Sequence, residues 1–209
     1  NITSAGDILA SATNMVAAYQ NCRSLTIAPN ILGDVTSLPS TFSYCTNLVA
    51  PPNIPENVTN MAYTFYNCNN LTTAPNIPVN VINVFRTFGN CTNLTAAPVI
   101  PANVTDMDRT FEMCTNLTGN IYIKSNRLSN TAMQNCFNGT DLPKNVYIPC
   151  QGLDATNNTW NAAFNATYGI DGKNGVTVLD DCTLDWEYTT NDTATLVTKY
   201  IGSSNDVVV

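Results

Sequence analysis

The chain of 209 residues is 44% hydrophobic and only 11% charged, so it can bury a full core unaided, and we expect it to hold no metal and no cofactor. Its formal net charge of -7 argues against a nucleic acid or an anionic membrane surface as partner, because clustered Lys and Arg dominate binding to both. Histidine is absent, which excludes Ser-His-Asp and Cys-His catalytic groups, and no apolar run approaches the roughly 18 residues that span a bilayer.

Both ends of the sequence look as if the chain had been cut within a longer polypeptide. Residues 1–22 lead into the first repeat and are predicted to form a partial repeat or an N-terminal cap. They contain neither the basic nor the apolar segment of a secretion signal. At the other end, the run from Asp206 to Val209 has the composition of a strand that is cut short. We therefore expect one segment of a longer polypeptide, flanked by further modules.

The body of the sequence, residues 23–136, keeps a period of 23 residues. Periods of this length indicate a solenoid, in which each repeat forms one coil and buries its apolar side chains against its neighbours. We predict about five repeats of 22 or 23 residues, the last of them degenerate, with Met133 in the aromatic column and Cys136 in the cysteine column. The two clearest columns are Cys22, Cys45, Cys68, Cys91 and Cys114, and Tyr19, Phe42, Phe65, Phe88 and Phe111.

Within the repeat from Cys68 to Cys91, apolar residues recur every three or four positions. This spacing fits neither a strand, which alternates every two residues, nor a continuous helix with two prolines inside it. We expect an extended piece at Leu71–Ile77, a turn at Pro78–Asn80 and a helical or 3₁₀ turn around Val84–Phe88. All three would direct their apolar side chains inward.

The segment from Thr87 to Met107 reads T-F-x-x-C-T-N-L-T-x-A-P-x-I-P-x-N-V-T-x-M. It resembles the BspA-like, or Treponema-type, leucine-rich repeats of bacterial surface proteins, and the resemblance covers about residues 12–136. It implies a repeat solenoid of leucine-rich-repeat-like coils with short β-strands and helical or 3₁₀ turns. Ala-Pro pairs such as Ala74-Pro75 replace the usual β-branched strand residues. Since proline removes a ladder donor, we expect a thinner inner sheet than in the family.

The family resemblance also bears on the eight cysteines. In family members the ladder cysteine points into the core, where a thiol packs as a small hydrophobe, so we predict free structural thiols from Cys22 to Cys136. No C-x-x-C spacing suggests a metal site. Cys150 and Cys182 lie outside the ladder, and either a disulfide between them or an unpaired buried pair is possible.

Beyond the repeats, we predict a small α+β C-terminal cap at residues 137–182, and a β-hairpin at residues 183–209 that starts a further module. Alternating and β-branched stretches bounded by turn residues indicate the strands, and Gly169 suits the end of a helix. The predicted elements are strands at Asn145–Pro149 and Gly175–Leu179, a helix at Asn158–Tyr168, and hairpin strands at Leu184–Tyr188 and Thr195–Ile201 around a turn at Asn191-Asp192.

Candidate binding residues come from the variable positions of the repeat. One column runs through Tyr63, Arg86 and Arg109, and the residues just after the aromatic column add Tyr44 and Tyr66. Aromatic and arginine side chains in a line are typical of recognition surfaces. These five residues are therefore candidates for contact with a ligand, and ordinary solvent exposure is the competing explanation.

Three functional hypotheses follow. The leading one is a non-catalytic extracellular recognition or adhesion module of a larger surface protein, binding a host extracellular protein or a glycan. The alternative is a structural spacer or fibre segment, including part of a phage tail fibre, and the third is an accessory domain of a degradative enzyme. The resemblance implies a bacterial cell surface, and a virion surface would require the same stable rod.

Overall fold

A computed structural model describes residues 3, 6, 11–125, 132, 135–140, 145–149, 177–181, 186–191 and 194–200. Within these ranges there is no α-helix, and so none that could cross a membrane. The chain winds as stacked coils, and it forms five strands, the first of which lies within the last coil. These are β1 (Ile121–Tyr122), β2 (Asn145–Pro149), β3 (Thr177–Asp181), β4 (Trp186–Asn191) and β5 (Ala194–Tyr200).

From residue 11 to residue 120, single parallel bridges rather than strands join successive coils. One such ladder runs through Asn14, Ser37, Asn60, Asn83 and Asp106 in turn. A second set of single bridges joins Ile27 to Ala50 and Thr73 to Ala96. It lies two residues before the proline of each coil. The sheet is thin at both places. In the second set a proline in each coil withholds a backbone donor, as predicted.

The segment predicted to be a helical or 3₁₀ turn is a ribbon of consecutive turns, so that prediction is wrong. In the fourth coil the amides of Thr87, Gly89 and Cys91 each donate to the carbonyl three residues earlier, at 3.0–3.2 Å. The amides between them donate to the next coil, as Arg86 does to the carbonyl of Asp108 at 3.0 Å. A helix would keep every one of these hydrogen bonds within one coil. The ribbon shares them between two.

Left-handed residues give the ribbon its shape. Two residues of each ribbon, four positions apart, have positive φ, and a positive φ at the third residue of a hydrogen-bonded turn is type II geometry. Right-handed helix cannot pass through such residues, and a left-handed conformation costs a side chain other than Gly, Asn or Asp about 1–2 kcal/mol. The pairs are Ala17 and Asn21, Ser40 and Tyr44, Tyr63 and Asn67, Arg86 and Asn90, Arg109 and Met113, and Asn135 and Gly139.

An Asn or Asp side chain starts most of the ribbons. The Oδ1 atoms of Asn14, Asn60, Asn83 and Asp106 each accept a hydrogen bond from the backbone amide two residues later, at 2.8–3.1 Å. This Asx turn satisfies an amide that the bridge ladder leaves free and directs the chain into the first turn of the ribbon.

The core repeats the same side chain from coil to coil. Phe42, Phe65, Phe88 and Phe111 are fully buried. Neighbouring rings in this column have centroids 5.6–5.7 Å apart and planes within 9° of parallel. Parallel rings at this separation are offset, an arrangement that the ring quadrupoles favour. One ring per coil therefore sets both the spacing and the alignment of the stack.

The last coil is longer than predicted. Phe137 stacks on Phe111 with centroids 5.8 Å apart, so it occupies the place in the aromatic column that we predicted for Met133. That coil has 26 residues from ring to ring, three more than the period of 23. The extra residues follow Ile123, because Ile123 still pairs with Ile100 one period earlier.

The same insertion moves Cys136 out of the cysteine column. Its carbonyl accepts from the amide of Phe111, which is the place that Thr110 holds relative to Phe88. Thr140 takes over the cysteine position, since its Oγ1 donates to the carbonyl of Phe111 at 2.6 Å. A buried hydroxyl thus replaces the thiol at the end of the ladder.

The cysteines of the ladder are free thiols, and those from Cys45 to Cys114 are buried. Each donates from Sγ to the carbonyl of the aromatic residue in the preceding coil, as Cys91 does to Phe65 at 3.1 Å. Burial raises the pKa of the Cys45 and Cys114 thiols to about 12. The thiols are therefore protonated core groups in contact with the backbone. Cys150 and Cys182 lie outside the described residues.

β1, which lies within the last coil, forms a parallel sheet with β2 and β3 in that order. The strand predicted at Asn145–Pro149 is confirmed as β2, and the one predicted at Gly175–Leu179 lies two residues later, as β3. Val146 pairs with Ile121 and with Val178, so parallel pairing continues past residue 136, where we predicted the solenoid to end.

The predicted hairpin is present as the antiparallel pair β4 and β5, with its first strand at residues 186–191 rather than 184–188. The helix predicted at Asn158–Tyr168 lies outside the described residues. The cap and the boundaries of the further module therefore stay predictions.

Replacing Ala17 and Ala62 by glycine should have opposite effects on stability. Both side chains are half-buried, but Ala17 has a φ of 55° and Ala62 is not left-handed. Ala17→Gly relieves the left-handed strain and should raise the free energy of unfolding by up to about 1 kcal/mol. Ala62→Gly should lower it by about 0.5–1 kcal/mol. Urea denaturation of both variants measures the change in the free energy of unfolding. An equal decrease in the two variants would contradict the left-handed conformation of Ala17.

The buried thiols should make the fold sensitive to alkali. In the unfolded chain the pKa of the Cys114 thiol is its ordinary value of 9.0, but in the folded chain burial raises this pKa to about 12. Between these values the unfolded chain has released a proton that the native chain retains, so the free energy of unfolding falls as pH rises. Urea midpoints measured from pH 7 to pH 10 should fall less steeply for Cys114→Ala than for the parent. Equal slopes would show that Cys114 is not the protonated group.

Candidate recognition surface

The five candidate residues lie on the outside of the ribbons. Four of them occupy left-handed positions: Tyr63, Arg86 and Arg109 the first position of their ribbons, and Tyr44 the second. Tyr66 directly follows a buried ring of the aromatic column. All five side chains are half-buried, so the ribbons hold them against the surface rather than extending them into solvent.

Three of the candidates meet in a group that we call the aromatic cluster, formed by Tyr44, Tyr63, Tyr66 and Phe85. Tyr66 packs edge-to-face with Tyr44 and Tyr63, at centroid distances of 5.5 and 5.6 Å. Phe85 packs in the same way on Tyr63 at 5.1 Å. Such pairs contribute about 0.5–1.5 kcal/mol beyond the area they bury, so the rings hold one another in place across three coils.

Sequence reasoning missed Phe85. Its column reads Pro39, Ala62, Phe85 and Asp108, which forms no consistent chemical pattern. The signal that could have found it is the single large apolar residue at a position where the neighbouring coils carry a small or polar one. Phe85 belongs to the cluster because its ring packs on Tyr63 in the preceding coil. This contact follows from the way the coils are aligned, which the sequence alone does not show.

Gly89 makes room for the aromatic cluster. A Cβ built at this position would lie 3.1 Å from Cδ2 of Tyr66 and 3.3 Å from Cε2. Gly89 does not have the positive φ for which glycine is often needed. Its missing side chain serves instead to let the Tyr66 ring lie across the next coil.

Arg86 joins the aromatic cluster to the next coil. Its guanidinium carbon lies 5.8–5.9 Å from the ring centroids of Tyr63, Tyr66 and Phe85, within the range of cation–π attraction. Its Nη2 lies 3.4 Å from Oε2 of Glu112. The guanidinium is therefore held by rings on one side and by a carboxylate on the other.

Arg86, Arg109, Asp108 and Glu112 form a second group, which we call the charged cluster. Nη1 of Arg109 lies 3.5 Å from Oε1 of Glu112, and its Nε lies 3.5 Å from Oδ2 of Asp108. Two cations thus face two carboxylates, and the formal charges sum to zero. Ion pairs near the surface typically contribute about 0–1 kcal/mol each, and these side chains are half-buried; the group holds the two arginines in a fixed orientation.

Asp108 is the perturbed acid of the charged cluster. Burial raises the pKa of its carboxyl above the ordinary range, Arg109 and Arg86 oppose that rise, and Asp106 and Glu112 add to it. Its Oδ1 and the Nε of Arg86 are buried without a hydrogen-bond partner. The cluster is thus not fully satisfied internally.

The other faces of the coils carry ladders of polar side chains. Asn47, Asn70, Asn93 and Asn116 form one of these. The amide nitrogens of the last three each donate to the amide oxygen one coil earlier, at 3.2–3.4 Å. Thr95 donates in the same direction, to the carbonyl of Thr72 at 3.3 Å. Over the part of the chain that the structure describes, no group of three His, Cys, Asp or Glu side chains could hold a metal ion.

Comparisons with known proteins agree with this geometry. A family model described as a BspA type leucine rich repeat region matches residues 39–166 in six copies. A crystal structure of a leucine-rich repeat protein from Bacteroides ovatus ATCC 8483 is similar, with a TM-score of 0.50 and 22% sequence identity over 64% of this chain and 36% of that one. The chain therefore spans about a third of that protein, and the likeness concerns the fold alone. A search of curated proteins found no match.

Replacing Glu112 by glutamine should lower the pKa of Asp108. The negative charge of Glu112 raises that pKa at present, and its removal also frees Arg86 and Arg109 to pair with Asp108. Carboxyl carbon NMR titration measures the shift, and Glu56→Gln is the control because Glu56 is exposed and is not among the charges that act on Asp108. An unchanged or higher pKa in Glu112→Gln would contradict the charged cluster.

Proposed function

Because the chain belongs to the BspA-type leucine-rich-repeat family, we propose that it is a non-catalytic extracellular recognition module of a larger surface protein, binding a host protein or a glycan. The contact surface consists of the aromatic cluster and the adjoining charged cluster. Repeats of this family are typical of bacterial surface proteins, and leucine-rich repeats generally mediate protein interactions.

The observation that carries the proposal is the presence of large side chains at strained backbone positions. The fold needs a positive φ at the first left-handed position of each ribbon, and the first two coils meet that need with Ala17 and Ser40. Tyr63 and Arg86 adopt the same conformation with φ of 58° and 50°, at a cost of about 1–2 kcal/mol each. Ala17 and Ser40 bear the same strain, so the strain itself belongs to the ribbon; what distinguishes Tyr63 and Arg86 is the large side chain that this backbone places on the outer side of the coil.

The residue types and their rigidity support the same proposal. Tyr and Arg are the side chains most enriched among residues that dominate binding energy. In the two clusters, neighbouring rings and carboxylates already hold them in place. A ligand would therefore lose little of its binding energy to ordering this surface.

The thiols of the core fit a location outside the cell, on a bacterial or a virion surface. The thiolate is the reactive form of cysteine, and burial raises the pKa of Cys68 and Cys91 well above the ordinary range. Since these side chains are also inaccessible, an oxidising environment leaves them reduced.

The alternative function is a structural spacer or fibre segment. The asparagine ladder favours it, because side-chain amides that bond from coil to coil stiffen the stack. In a spacer the aromatic cluster would contribute only to the stability of the stacked coils. Removal of that cluster should therefore abolish ligand binding in a recognition module, whereas a spacer has no binding to lose.

The triple variant Tyr63→Ala, Arg86→Ala, Arg109→Ala should lose binding at least ten-fold in a screen of the chain against glycan and host extracellular-protein arrays, because side chains of this kind dominate contact energy. Tyr122→Ala is the matched control, since it removes a tyrosine that is 37% exposed in β1, away from both clusters. A folded parent chain that binds nothing would favour the spacer.

A further inference from the structure

The charges beside the aromatic cluster are already balanced. Arg86 and Arg109 each lie 3.4–3.5 Å from a carboxylate oxygen of Glu112 or Asp108. Both arginines of the charged cluster thus have a carboxylate partner, and the chain as a whole has a formal charge of -7. A sulfated or sialylated ligand would meet no net attraction here, and it would have to displace Glu112 or Asp108 to reach a guanidinium.

The exposed area of the aromatic cluster is small. Its four rings are all half-buried, so together they present on the order of 200 Å². A standard protein interface buries roughly 800 Å² on each partner. The cluster alone is too small for a protein interface and matches the footprint of a short oligosaccharide.

The chemistry of the surface suits a sugar. A sugar ring has a face of C–H groups, which packs on aromatic rings, and a rim of hydroxyl groups, which need donors and acceptors. The cluster supplies three tyrosines that combine an apolar ring with a polar tip, and the charged cluster beside it supplies guanidinium donors and carboxylate acceptors. We infer that the ligand of the aromatic cluster is a neutral oligosaccharide. This inference rests on the proposed function and adds the chemical class of its ligand.

Gly89 acts as a positioning residue for this ligand. The Tyr66 ring lies where a Cβ of residue 89 would come within 3.1 Å of it. Gly89→Ala should therefore move the ring by a few tenths of an ångström and weaken sugar binding several-fold. The net charge of the surface does not change in this variant, so any effect on affinity comes from the position of the ring.

Calorimetric titration of the full chain tests the inference. The probes are cellohexaose, mannohexaose and chitohexaose as neutral oligosaccharides, and heparin as the anionic comparison, each at 50 mM and 500 mM NaCl. We expect at least one neutral probe to bind, with less than a two-fold change in Kd between the two salt concentrations, since no charge is neutralised. Tyr66→Ala should lose at least ten-fold, Tyr66→Phe should retain most of the affinity, and Tyr122→Ala should bind like the parent.

The outcomes separate this inference from the proposed function. Binding of heparin alone, with an affinity that falls steeply in salt, would overturn the neutral ligand and leave the recognition module intact. Binding of an array protein that Tyr66→Ala abolishes, with no neutral probe bound, would do the same. A folded chain that binds neither sugar nor protein would overturn both. Thermal melts of each variant establish that a loss of binding is not a loss of fold.

Discussion

The structure depends on the way each turn ribbon divides its backbone hydrogen bonds between its own coil and the next. Alternate amides close turns within the coil, and the amides between them, such as that of Arg86, reach the following coil. A single coil would leave half of these donors unsatisfied, so no coil is stable without a neighbour. The constant step of 23 residues follows from this pairing, because a change of length inside the ribbon would mismatch every donor after it. The insertion in the last coil accordingly lies after Ile123, outside the ribbon.

The repeat was predictable from the sequence because the core uses the same side chains in each coil. Columns such as Phe42 to Phe111 are apolar for one reason, burial, and that reason is visible in the residue type. The ribbon was not predictable in the same way. Its left-handed positions carry Ala17, Ser40, Tyr63 and Arg86, none of which signals a positive φ. The sequence also misplaced Cys136, because in the long last coil a residue type alone could not show which column it had entered.

The candidate surface was also predictable from the sequence only in part. The tyrosines and arginines were recognisable by type and by their shared column, but their partners were not. Phe85 and Gly89 matter because of residues one coil away, and Glu112 matters because it lies between two arginines from different coils. The left-handed backbone links the fold to the proposed contact surface, since the turns that build the ribbon also place these side chains on its outer side.

The coil-to-coil bonding also bears on how such a chain can change in evolution. Because each coil meets its neighbours through the same bonds, duplication or deletion of one 23-residue unit in the gene leaves a chain that still stacks. The aromatic and charged clusters draw on four successive coils, from Tyr44 to Glu112. Recombination inside that stretch separates partners such as Tyr66 and Gly89, whereas recombination before or after it alters only the reach of the rod. The length of the molecule and the specificity of its surface can therefore be inherited separately.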